Sequence, residues 1–231
     1  MSTTNVLQFK NVTKRYSDSD LGEEYLALDN VSFELEQGAL AALVGPSGSG
    51  KTTLLNLAGT FDTPSSGEIL LAGKAINSLS KKELIKCRSF DIGFIFQAFN
   101  LIPVLSAVEN VEYTCLMRGE PAGEARRKAI QALKDVDLEN KTNSLPRHLS
   151  GGQQQRVAVA RALCSAPKII FADEPTANLD SKTADQLIHL FKDLNEKKGV
   201  TFLFSTHDNR LISSVRKIIN LRDGKIQNSE N

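Results

Sequence analysis

The sequence contains no tryptophan, three cysteines, three histidines and two methionines, and aromatic residues make up only 6% of it. It also lacks an excess of either charge: 28 Lys+Arg stand against 27 Asp+Glu, a formal net charge of +1. A dedicated nucleic-acid binder usually carries a strong basic surplus, and attachment to an acidic membrane by charge alone needs a polybasic cluster. No nucleic-acid partner is therefore expected. No apolar run approaches the roughly 18 residues that span a bilayer. The longest, at residues 39–44 and 200–204, have the length of buried strands. Residues 1–6 have neither a basic nor an apolar leader region, so no secretory signal is expected. Cys87, Cys115 and Cys164 are odd in number, far apart in sequence and without paired metal-ligand spacing. They read as small buried hydrophobes in a reducing compartment.

What remains is an ordinary globular composition, 41% apolar and 24% charged over 231 residues. It suits one domain, or one domain in two lobes, with a sizeable core. Short apolar strands alternate with amphipathic helices, which predicts an α/β fold with a mostly parallel sheet. Residues 39–44 read as a strand entering a glycine-rich turn, with a helix at 51–60. Residues 67–77 read as two short strands turning at Ala72-Gly73. Ser80-x-x-Glu83 and Ser106-x-x-Glu109 are capping boxes that open helices toward Arg88 and Met117. After a strand at 92–97 the chain is mostly helical until Pro167 ends that stretch. We read about 98–166 as a helical lobe inserted into a core formed by 1–97 and 167–231. Strands follow at 169–172 and 200–205, around a helix whose Ala184, Leu187, Ile188, Phe191 and Leu194 share one face. Asp223-Gly224 marks a late hairpin.

Gly45-Pro46-Ser47-Gly48-Ser49-Gly50-Lys51-Thr52 fits G-x-x-x-x-G-K-[ST] between a strand and a helix, the context the phosphate-binding loop requires. Its glycines let backbone amides turn inward to form an anion nest, and the helix after Gly50 adds its partial positive charge. Lys51 is suited to the β- and γ-phosphates and the Thr52 hydroxyl to Mg²⁺; Thr53 continues the nucleotide-binding set. GTPases commonly read guanine through Asn-Lys-x-Asp. The nearest segment here, Asn140-Lys-Thr-Asn143, lacks the carboxylate, so adenine is favoured.

The strand at 169–172 ends in Asp173-Glu174. Asp173 suits a water-mediated hold on Mg²⁺ beside Thr52, and Glu174 is placed to activate the attacking water. His207 follows the strand at 200–205, at the sheet edge where α/β ligand sites lie, and could donate to the γ-phosphate. His148 reads as a loop residue and His189 as a helix-surface residue. Leu149-Ser150-Gly151-Gly152-Gln153 leads into a second helix over 153–165, its start exposed by two glycines and capped by Ser150, a second anion-seeking terminus.

With these residues the chain resembles the nucleotide-binding subunit of an ATP-binding cassette (ABC) transporter, along essentially its whole length. The resemblance identifies Leu149 to Gln153 as the family's signature, Gln97 as its Q-loop glutamine, Ala177-Asn178-Leu179-Asp180 as its D-loop and His207 as its switch histidine. Tyr16 matches the aromatic that stacks on adenine, ahead of a polar loop at 17–26. The fold it implies is a RecA-like P-loop NTPase core with an antiparallel β subdomain and an inserted α-helical subdomain. It also implies ATP and Mg²⁺ as ligands, with Gln97 joining Thr52 and Asp173 at the metal. An antiparallel homodimer would follow, in which Ser150, Gly151, Gly152 and Gln153 of one subunit close over nucleotide held by the other.

Ala172-Asp-Glu-Pro-Thr-Ala-Asn-Leu-Asp-Ser-Lys-Thr183, with Gly93-Phe-Ile-Phe-Gln97 and Glu109-Asn110, is most similar to the LolD/MacB branch. That branch works with FtsX-like permeases in lipoprotein release, in peptide or macrolide efflux, or in force transmission. The resemblance implies a separate permease chain, its coupling helix seated near residues 98–108, and a peripheral place on the cytoplasmic face of the membrane. Amino-acid-importer ATPases share part of the pattern but usually differ after Pro175, and an FtsE-like cell-division role shares the motifs. Chromosome-maintenance relatives separate their ATPase halves by long coiled coils, whereas 173 − 51 = 122 positions separate Lys51 from Asp173 here.

Overall fold

The computed structural model describes residues 4–17 and 24–227. The first half of the chain holds β1 (Asn5–Ser17), β2 (Glu24–Glu36), β3 (Leu40–Val44), α1 (Lys51–Ala58), β4 (Ser66–Leu71), β5 (Lys74–Ala75), α2 (Lys81–Asp91) and β6 (Ile92–Ile95). Three helices follow, α3 (Ala107–Met117), α4 (Ala122–Asp135) and α5 (Gly151–Cys164). The chain then returns through β7 (Ile169–Asp173), α6 (Ser181–Lys198), β8 (Phe202–Ser205), the short α7 (Asn209–Ile212), β9 (Lys217–Arg222) and β10 (Lys225–Gln227).

The strands form two sheets. One is antiparallel, in the order β2-β1-β4-β5. The other runs β10-β9-β3-β8-β7-β6 and is parallel except for the β9–β10 hairpin, which turns at Asp223-Gly224. The period of two along its strands divides the interior into two cores. Ile169, Phe171 and Leu203 point toward α1 and the apolar face of the antiparallel sheet, where Leu7, Phe9, Leu28 and Ile69 are buried. Ile170, Ala172, Phe202 and Phe204 point the other way, toward α6 and the α3–α5 helices. All five residues of the expected apolar stripe on α6 are buried, and Leu187, Ile188, Phe191 and Leu194 belong to that second core.

The local capping signals are realised. Ser80, Ser106 and Ser150 each accept a hydrogen bond from the amide three residues on, and the side chains of Glu83, Glu109 and Gln153 accept one from the cap amide. The helix expected from 153 to 165 thus starts at Gly151, directly after its Ser150 cap. One expectation changes. Residues 17–26 read as a loop because they are polar, but β2 begins at Glu24, and Tyr16 pairs with Tyr25 and Arg15 with Leu26 across the hairpin. Strand pairing satisfies these backbone groups whatever the side-chain polarity. Residues 18–23 lie outside the described residues. The three cysteines are buried. Fold-level packing brings Cys115 on α3 and Cys164 on α5 together, with Sγ atoms 3.1 Å apart, a proximity that sequence separation had concealed.

Phe191 sits in an aromatic cluster, its ring 5.3 Å from Phe202 and 4.9 Å from Phe204. Phe191→Ala is expected to lower the unfolding free energy by about 3–5 kcal/mol. His189→Ala, on the exposed side of the same helix, should change it by less than about 0.5 kcal/mol. Denaturant titration of the two variants checks the difference.

Candidate active site

Three parallel strands end level with one another. Leu43 of β3 pairs with Ser205 of β8, and Ser205 pairs with Asp173 of β7. The segments that follow them, the loop from Gly45, Glu174 and His207, therefore leave the sheet at one edge and line one cleft of about 690 Å³.

The floor of that cleft is the glycine-rich loop. A Cβ on Gly45 would lie 2.0 Å from the Leu221 carbonyl oxygen, and Gly50 has φ +102° with the Ala27 oxygen 2.6 Å from its Cβ position. Only glycine fits at either place. Gly50 also precedes α1 without any side-chain cap, and no acidic residue occupies the first turn of that helix. The first amides of α1 are thereby left for an anion. Lys51 lays its ammonium across the loop, donating to the carbonyls of Gly45 (2.6 Å) and Pro46 (2.9 Å). Pro46, Ser47, Gly48, Thr52 and Thr53 line the cleft with it. Ser49 does not: its side chain is 2% exposed, packed beside Gly45, and its carbonyl accepts from Gly224. It contributes the shape of the loop rather than its hydroxyl.

On the opposite wall, Glu174 occupies the left-handed region at φ +45°, unusual for a residue with a Cβ. Its amide donates to Ser205 O at 2.8 Å. Its Oε1 lies 2.8 Å from His207 Nδ1, while its Oε2 is buried with no partner among the described residues. A buried carboxylate oxygen left in that condition suits an ordered water. Asp173 is half-buried, and burial pushes its carboxyl above the usual carboxylate range despite a hydrogen bond from Ser205 and the nearby charge of Lys51. Gln97 joins the cleft beyond β6, and its carbonyl accepts from Asn178 of the 177–180 segment at 2.9 Å. Asp180 caps α6, accepting from the Thr183 amide and hydroxyl.

Thr52, Gln97 and Asp173 offer only oxygen donors, the set that suits a hard cation such as Mg²⁺. Among the described residues no group of three or more His, Cys, Asp or Glu could hold a metal. Mg²⁺ usually takes one or two protein ligands, waters and substrate phosphates rather than a protein cage.

Tyr16 is placed behind the wall of the cleft. Its hydroxyl donates to Asp62 at 2.8 Å, and burial together with that carboxylate pushes its pKa up to about 12. Its ring stacks on Tyr25 at 5.3 Å, and it is Tyr25, 59% exposed, that lines the cleft. Sequence reasoning missed Tyr25 because its position is set by the β1–β2 register. The Ser150, Gly152 and Gln153 side of α5 is not in this cleft; it lines a separate concavity with Thr183 and Gln186, and Gly151 sits beside it at the helix start. His189 lines that second concavity too, while His148 is exposed at the end of a 3₁₀ turn.

A family model described as ABC transporter matches residues 28–177. The chain is 47% identical over 230 residues to the uncharacterized ABC transporter ATP-binding protein MJ0796 of Methanocaldococcus jannaschii, covering 97% of each. It is 43% identical over 226 residues to an uncharacterized ABC transporter ATP-binding protein of Thermotoga maritima, covering 97% of this chain and 95% of that one. A dimeric structure of MJ0796 in a post-hydrolysis state, bound to ADP and Pi, is similar with a TM-score of 0.85 at 44% identity over 96% of both chains. The cbiO1 protein of Clostridium perfringens, described as part of the ABC transporter complex cbiONQ, has a TM-score of 0.86 at 29% identity, covering 97% of this chain and 87% of that one.

The loop geometry carries its own test. Gly45→Ala forces a Cβ against backbone and should weaken ATP binding by more than about tenfold. Gly48→Ala has open space and strains only its φ of +79°, at a cost of about 1 kcal/mol. Equilibrium titration with a fluorescent ATP analogue measures both, and equal losses would contradict the packing account.

With a family model matching residues 28–177 and relatives more than two-fifths identical extending over nearly the whole length, the chain belongs to the ABC transporter family as an ATP-binding subunit that hydrolyses ATP.

Proposed function

We propose that this chain powers a membrane export or force-transmitting system of the LolD/MacB type through ATP-driven closure of a homodimer. One observation carries the reading: the phosphate loop and the Ser150 helix terminus, both suited to anions, lie in separate concavities of a single chain. A second copy in antiparallel orientation would bring Ser150, Gly151, Gly152 and Gln153 over nucleotide held by its partner's loop. The dimeric structures of MJ0796 support this arrangement. Asp180, at the head of α6, would lie on the same dimer face. The unit at about 98–166 would then swing the signature, while 1–97 and 167–231 hold the nucleotide.

Within each site the roles divide by geometry. Lys51, the loop amides and the start of α1 bind the phosphates, and Tyr25, backed by Tyr16, offers a face to adenine. Thr52, Asp173 and Gln97 would hold Mg²⁺, which when bound would neutralise charge developing on the phosphates. Glu174 Oε2 accepts a proton from the attacking water, and His207 steadies the other carboxylate oxygen and orients the water toward phosphorus.

No helix among the described residues is long and apolar enough to cross a membrane, and in this reading the span belongs to an FtsX-like permease on a separate chain. That would place the ATPase peripherally on the cytoplasmic face. The description of cbiO1 as part of a transporter complex supports a permease partner. A candidate seat for the permease is an apolar groove between α2, β6, α3 and α5, with Phe94, Tyr113 and Met117 in its walls. Of the 98–108 segment only Asn100 lines it, because the Asn110 side chain pins Ile102 and Leu105 through their backbone groups and Leu101 packs on the core.

Glu174→Gln should slow turnover by about 10²-fold or more while stabilising an ATP-bound dimer. Size-exclusion chromatography with ATP and a steady-state ATPase assay read the two effects; a fully active variant would remove Glu174 from its role. Tyr25→Ala should raise the ATP Kd by about tenfold through lost stacking. Co-purification with an FtsX-like permease, followed by ATPase assay of the complex, tests the partner; recovery with ribosomes or DNA instead would sink the transport reading.

A further inference from the structure

The third glutamine of Gln153-Gln154-Gln155 turns away from the signature surface. Gln155 is completely buried at the fifth position after the Ser150 cap, and its Nε2 donates to the Pro175 carbonyl at 2.9 Å. Its Oε1 is buried with no partner among the described residues. A buried amide with half its capacity unmet is an expensive way to fill space, which an apolar side chain of equal length would do without an orphaned acceptor. What the amide secures is the Pro175–Thr176 peptide, the second after Glu174.

That peptide needs securing. Glu174 is held in the left-handed region, a conformation that persists only where its surroundings over-determine it. On one side the Glu174 amide is fixed to Ser205 O, and the Glu174 carbonyl accepts from Ala177 at 3.2 Å. Pro175 has no N–H to offer, so its carbonyl is its only backbone handle. Gln155 takes that handle from the opposite side, and it does so from α5, the helix whose first turn carries Ser150 and Gly152.

We propose that Gln155 is a positioning residue for hydrolysis: by holding the Pro175 carbonyl it fixes the strained turn that aims the Glu174 carboxylate, and it ties that aim to α5. The inference rests on the reading of Glu174 as general base. Motion of the signature helix would then reach the base of its own subunit directly, through one hydrogen bond.

The test uses the full-length ATPase and two variants. Gln155→Met keeps the length of the side chain and removes the donor; Gln155→Asn keeps the amide but draws it back by one methylene. Both should lower kcat by about tenfold with the ATP KM within about twofold, since a misaimed base costs rate rather than binding. Thermal stability of Gln155→Met should stay near that of the parent, because losing the orphaned acceptor offsets losing the bond. Each variant is also combined with Glu174→Gln and followed by single-turnover hydrolysis. A residue that acts through Glu174 should then cause no further loss. A parental kcat in both variants, the same tenfold loss added on top of Glu174→Gln, or failure of both variants to fold would overturn the positioning role. If Glu174→Gln itself keeps parental turnover, the base assignment falls and this inference falls with it. A slow Glu174→Gln beside fully active Gln155 variants would overturn the positioning role alone.

Discussion

The register of three parallel strands governs everything built on this sheet. Leu43, Ser205 and Asp173 are aligned across β3, β8 and β7, so the next residues of each strand emerge side by side. A slip of one residue would turn each strand's side chains to the opposite face. It would bury Asp173 among the phenylalanines and carry Glu174 away from His207. The burial of both faces, with Phe171 and Leu203 on one side and Phe202 and Phe204 on the other, is what forbids the slip. The stability of the core and the geometry of the site are thus the same constraint seen from two ends of the strands.

From that edge, each element of the candidate site is fixed by backbone before any side chain acts. The loop is seated by the contact of Gly45 with Leu221, Glu174 is held in a strained turn, and the Gln97 carbonyl is tied to Asn178. Arg161 of α5 extends this pattern, donating to the carbonyls of Phe99 and Asn100, two consecutive residues with positive φ just beyond Gln97. Polar side chains on α5 therefore grip two of the segments that border the cleft, the one after Gln97 and the one after Glu174, while the start of the helix lines a separate concavity. One helix is linked to the cleft, to the groove proposed for a permease and to the signature.

Much of this was legible in the sequence where the signal is local. Capping boxes at Ser80 and Ser106, the N-cap at Ser150, the apolar stripe of α6 and the glycine-rich turn before α1 depend on residues within a turn or two of each other, and the structure holds each of them. The rest depends on contacts across the fold. Tyr25 reaches the cleft only through its pairing with Tyr16, and polarity around it suggested a loop instead. Ser49 looks like its neighbours in the motif, yet the turn directs its hydroxyl inward. Gln155 is one of three glutamines in a row, and only the packing of α5 against the 174–177 turn distinguishes it. Cys115 and Cys164, 49 positions apart in sequence, meet because α3 and α5 pack side by side.

The central claim is that a working site is shared between two chains, phosphate loop from one and signature from the other. The most direct measurement mixes a Lys51→Ala chain with a Gly152→Asp chain, each inactive alone, and assays ATP hydrolysis after subunit exchange. A shared site predicts that activity returns, because each mixed dimer rebuilds one site with both elements intact. No activity in mixtures whose heterodimers are demonstrably formed would contradict it.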